Sequence, residues 1–78
     1  MKAGEIKEII PQYKIDLRVN GLHITNYFCD FKIILSDGSV QFIEAKGMVL
    51  PLFQIKWRLL EALINEIEPG AELIVVKQ

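Results

Sequence analysis

Two turn signals govern what the first half of this chain can fold into. Asn20-Gly21 and Ser36-Asp37-Gly38 cut residues 5–46 into three apolar runs, and both signals supply residues that tolerate the positive φ of a tight hairpin. The run Glu5 to Leu17 (EIKEIIPQYKIDL) carries Pro11 near its middle, which suits an edge or bulged strand because proline cannot donate to a central ladder. Ile24 to Leu35 is rich in aromatic and β-branched residues and predicts a second strand. Val40 to Lys46 (VQFIEAK) predicts a third, closed by Gly47.

After Gly47 the apolar period changes. Phe53, Trp57, Leu60, Leu63, Ile64 and Ile67 recur at steps of three and four, which predicts an amphipathic helix over Leu52 to Ile67 with Pro51 suited to its first turn. Pro69-Gly70 stops it, and Glu72 to Lys77 (ELIVVK) reads as a last strand. The order is β-β-β-α-β. A strand, helix, strand succession is normally a right-handed crossover, so the last strand is expected parallel to the third or close to it. The fold class is α+β: a mixed four-stranded sheet with one helix packed on one face.

That layout leaves a face uncovered. Phe31, Ile33 and Ile43 fall on one side of the sheet by alternation and Ile34, Phe42 and Val40 on the other, so both sides are apolar while one helix covers only one. At 78 residues the chain has room for one domain and one core, and its 51% apolar content with a positive mean hydropathy argues for a folded chain with surface to spare. A homo-oligomer, or a longer protein of which this is a part, is the expectation.

Nine basic and ten acidic residues give a net charge of -1, which excludes the broad positive field of a non-specific nucleic-acid coater; any such contact must be local. The single cysteine, Cys29, excludes an internal disulfide and a thiolate zinc site and suits a reducing, cytoplasmic setting. No apolar run approaches the ~20 residues of a membrane-spanning helix, so no membrane partner is expected.

Against this apolar background Asp30, Glu44 and Lys46 stand out, and the turn between them decides whether they meet. Were Asp37-Gly38 a two-residue loop, Ser36 would oppose Ser39 and Asp30 would face Ala45. With Ser36-Asp37-Gly38 as a three-residue loop and Gly38 left-handed, Leu35 opposes Ser39 and Asp30 comes opposite Glu44. Opposed Cβ atoms lie ~4.5–5.5 Å apart, close enough for one divalent cation to bridge two carboxylates. Magnesium would take Asp30, Glu44 and the backbone carbonyl of Ala45, leaving places for water and a phosphate oxygen, with Lys46 beside them. The plainer alternative is a structural ion-pair cluster, Asp30 with Lys46 or Lys32.

Asp30, an intervening hairpin, Glu44-Ala45-Lys46 and then a helix and a strand resemble the PD-(D/E)xK nuclease superfamily. GEIKEIIPQYKIDL, YFCDF, DGSVQFIEAKG and FQIKWRLLEAL are more narrowly similar to its small phage and prophage members of unknown function, related to Holliday-junction resolvases. The resemblance implies metal-dependent hydrolysis of DNA phosphodiesters with Mg²⁺ or Mn²⁺. It makes Asp30 and Glu44 metal ligands and Lys46 the catalytic lysine, with Gln54 and Lys56 near the scissile phosphate. Cys29 stands where the motif has proline, and Gln12 where such proteins often carry glutamine. The superfamily core opens with a helix, whereas only Met1 to Gly4 precede the first strand here, so a truncated restriction-endonuclease-like core is expected. A non-catalytic interaction module that keeps the fold is the alternative. His23 reads as a turn histidine, Cys29 as a buried small hydrophobe, Trp57 as core, and Arg58 as helix surface or part of a local phosphate patch beside Lys56.

Overall fold

The computed structural model describes residues 5–45 and 51–76. Four strands and one helix follow in the expected order: β1 Ile6–Val19, β2 Leu22–Leu35, β3 Val40–Glu44, α1 Pro51–Ile67 and β4 Glu72–Val75. They form one sheet in the order β1-β2-β3-β4, antiparallel except for the parallel β3/β4 pair across the helix crossover. The α+β topology is the one the sequence predicts. The ends of the predicted third and fourth strands, Lys46 and Lys77, lie outside the described residues.

Both turns follow from local chemistry. Asn20 (φ +52°) and Gly21 (φ +81°) join Val19 to its partner Leu22 in a two-residue turn whose twist matches the strands. The second loop is the three-residue form. Leu35 donates its N–H to the Ser39 carbonyl at 2.9 Å, Gly38 donates back to the Leu35 carbonyl at 2.9 Å, and Gly38 is left-handed at φ +90°. Asp37 stiffens it by accepting from the Ser39 amide and hydroxyl at 2.9 and 2.6 Å.

The helix lays Leu60 and Leu63 onto Ile15, Leu17, Tyr27, Cys29 and Phe42, which together are the buried core. Phe53 and Trp57 stack at 6.0 Å, and both rings meet Tyr27, at 6.2 and 6.0 Å. Each fully buried aliphatic or aromatic side chain contributes about 1.5–3 kcal/mol, so a core of this size is held by few residues. One sheet and one helix make a body only 17 Å through its thinnest direction. The other face of the sheet stays open, with Ile9 51%, Phe28 56% and Phe31 39% exposed.

The strands are not regular throughout. Tyr13, Ile15 and Leu17 face the helix, and so do their partners Cys29, Tyr27 and Thr25. Beyond this stretch it is Ile10 and Lys32 that turn to that side, while Phe28 and Phe31, three apart, share the open face. The alternation therefore reverses in both strands at the level of Gln12 and Asp30, with no residue gained or lost. Gln12 supplies the means, a left-handed backbone at φ +51° just after Pro11. Such a conformation costs a non-glycine residue about 1–2 kcal/mol, which the ladders on either side must offset.

Among the described residues no helix is long and apolar enough to cross a membrane. Gly38→Ala should cost about 1–2 kcal/mol, because nothing lies within 4 Å of an added Cβ and the penalty is purely that of φ +90°. Urea unfolding should show a lowered midpoint with an unchanged slope.

Candidate functional site

The β2/β3 ladder runs Ile34↔Val40, Ile33↔Gln41, Lys32↔Phe42 and Phe31↔Ile43, so its next step brings Asp30 level with Glu44. This is the register that the three-residue loop requires. Both carboxylates lie near Tyr27 and Cys29. Asp30 sits at the reversal point, and its Oδ2 accepts the Ala45 N–H, just past the end of β3, at 2.9 Å. The register expected for the three-residue loop is the one found, and Asp30 is in addition tied to the Ala45 amide.

Glu44 is the one buried charged side chain among the described residues, 6% exposed beneath the helix. A carboxylate there must be hydrogen-bonded to persist. Tyr27 donates its hydroxyl to Glu44 Oε1. Tyr27 is itself packed by Phe53 and Trp57, so helix, ring and carboxylate form one stack. The Glu44 carbonyl accepts from Val76 at 2.8 Å, which ties β4 to the same residue. Burial first, then the Glu44 carboxylate, hold the Tyr27 hydroxyl well above the ordinary tyrosine range, so it is always available as a donor.

Cys29 lies between these groups and is fully buried. Its Sγ is 3.2 Å from the carbonyls of both Phe31 and Ile43, so the S–H donates to one or the other. Burial pushes the thiol up to about 11, and the nearby carboxylates of Glu44 and Asp30 push the same way.

The remaining candidates are spread more widely. Lys56 is half-buried, and its Nζ donates to the Asn26 carbonyl at 3.2 Å, one residue from Tyr27. Gln54 is exposed near the start of the helix. Lys46 lies outside the described residues. The Asp30–Lys32 pair of the plainer alternative does not form: Lys32 rests over the Tyr13 ring, 4.5 Å from its centre, and reaches Glu68 at 3.5 Å. His23 is a surface histidine as read, with Nδ1 2.5 Å from Asp16, which also pairs with Arg18. Among the described residues no three of His, Cys, Asp and Glu gather as a metal-binding group.

Tyr27 is the site residue that sequence reasoning missed, while Cys29 is the buried small residue it expected. Their two-residue spacing beside Asp30 was visible, but the partner of the tyrosine hydroxyl depends on Glu44 being buried beneath the helix. The chain matches no protein-family model, no curated protein and no solved structure.

Removing Tyr27's hydroxyl (Tyr27→Phe) strips a buried carboxylate of a donor and should cost about 1–3 kcal/mol. A double-mutant cycle with Glu44→Gln, read by urea unfolding, should give a coupling of similar size; additive effects would show that the two groups do not interact. The raised Cys29 pKa carries a sign as well. The unfolded thiol ionises near 9.0 and the native one near 11, so between these values the unfolded state holds fewer protons and stability falls as pH rises. Melting temperature should drop by about 5 °C or more between pH 8 and pH 11. Cys29→Ala should remove part of that slope.

Proposed function

We propose that this chain is a metal-dependent nuclease-like domain acting on DNA phosphodiesters. The observation that carries the proposal is the register: the left-handed Gly38 loop brings Asp30 level with Glu44, followed at once by Ala45 and Lys46. That arrangement supports the resemblance to the PD-(D/E)xK superfamily, in which an acidic residue, a hairpin and an acid-x-lysine stretch carry the chemistry.

The donor set suits a hard cation. Asp30, Glu44 and the Ala45 carbonyl are all oxygen donors, and a carboxylate accepts at about four lone-pair positions, so Tyr27's hydrogen bond and a metal bond are compatible at Glu44. Mg²⁺ or Mn²⁺, when bound, lowers the pKa of a coordinated water and polarises a phosphate oxygen. The chain's own residues do the positioning. Tyr27 holds Glu44 in one orientation from below, and the Ala45 amide holds Asp30 from the side, so neither carboxylate must be ordered at the moment of reaction. Lys46 adds a positive charge beside the phosphate, and Lys56 a second one near Tyr27. In this reading DNA is the partner, met by these few cations rather than by a general field.

A second reading, an interaction module without chemistry, is favoured by the commitment of Glu44 to Tyr27 and of Asp30 to Ala45. Calorimetric titration with Mn²⁺ separates the two. The nuclease reading expects binding that Asp30→Asn abolishes, asparagine being chosen because its amide oxygen still accepts the Ala45 N–H. Nicking of supercoiled plasmid should fall at least ~100-fold in Lys46→Ala. Absence of both heat and nicking in the wild-type chain would leave the interaction module.

A further inference from the structure

The open face of the sheet has a definite layout. One row across it reads Ile9, Ile33, Gln41, Glu72; the next reads Pro11, Phe31, Ile43, Ile74; and beyond the strand reversal comes Lys14 beside Phe28. Phe28 and Phe31, which alternation in a regular strand would put on opposite faces, thus stand on the same side, 56% and 39% exposed, with Ile9 at 51% beside them.

We propose that this face seats a second copy of the chain, packed sheet against sheet about a two-fold axis. Three observations select that occupant. The first is area. Phe28 and Phe31, 56% and 39% exposed, together leave about one phenylalanine surface bare, and with Ile9, Ile33, Ile43 and Ile74 the patch comes to on the order of 400 Å². A standard interface buries ~800 Å² per partner, roughly two-thirds of it apolar at a homodimer core, so patch and polar rim together supply what one copy needs.

The second is charge. Lys14 lies at the β1 corner of the face and Glu72 at the diagonally opposite β4 corner. A two-fold axis in the plane between two such faces, running along the other diagonal, sets Lys14 of each copy on Glu72 of its partner, twice over. Gln41 Nε2 already donates to Glu72 Oε1 at 3.0 Å and orients it. Asp16, two residues from Lys14, is held by Arg18 and His23 and does not compete. The third is thickness: a second sheet on this side gives the 17 Å body the layer it lacks, helix, sheet, sheet, helix, with both apolar faces covered. The pairing is independent of the nuclease reading, since it uses the face away from Glu44.

Sedimentation velocity on the full chain from about 1 to 200 µM tests it. The expected result is a species of twice the 8.9 kDa chain mass. Phe28→Glu and Phe31→Glu should each raise the dimer Kd more than ~10-fold with unchanged far-ultraviolet circular dichroism. Lys14→Glu and Glu72→Lys, both at exposed positions, should each weaken the dimer, and the double exchange should restore the Kd to within about twofold. A wild-type chain that stays monomeric over this range overturns the proposal, whether or not the face captures another protein. So does a dimer whose Kd ignores both the phenylalanine and the charge substitutions.

Discussion

A positive φ at one glycine sets the sheet. Gly38 closes the loop between β2 and β3 in three residues rather than two, and every pairing from Ile34↔Val40 onward follows from that count. Shifted by one residue, the strand would send Phe42 and Glu44 to the open face and Gln41 and Ile43 under the helix, trading an aromatic core residue for a glutamine. The burial of Phe42 reinforces the choice that the loop makes locally. Core and turn agree, which is the condition for a single register.

The second constraint runs across β1 and β2. At Gln12 and Asp30 both strands exchange faces together, and Asp30 at that point accepts the Ala45 amide. The exchange also frees Lys32 to lie over Tyr13 and Phe42 with Glu68 nearby, a half-buried cation satisfied by ring faces and a carboxylate. Glu44 remains the core's own charged residue, held by a hydroxyl that cannot easily ionise.

How legible this was in the sequence depends on the distance over which each feature is determined. The two turns, the helix and the parallel last strand were readable because glycine, proline and the apolar period act within a few residues. The Asp30/Glu44 register was readable as a consequence of loop length. The face exchange was not, because glutamine seldom takes a left-handed backbone and nothing local to Pro11-Gln12 announces it beyond the proline. The role of Tyr27 was hidden for the same reason: it depends on what the helix covers after the strands have turned, whereas the burial of Cys29 was readable.

The left-handed Gln12 also bears on how this protein behaves in a crowd of its own copies. β1 is an edge strand of fourteen residues, long enough to template the addition of further strands without limit. Pro11 offers no N–H, and the backbone turn at Gln12 breaks the run into two short, differently facing pieces. Edge-to-edge growth into ribbons is thereby interrupted at its midpoint, and assembly through the edge is discouraged while the flat of the sheet stays available.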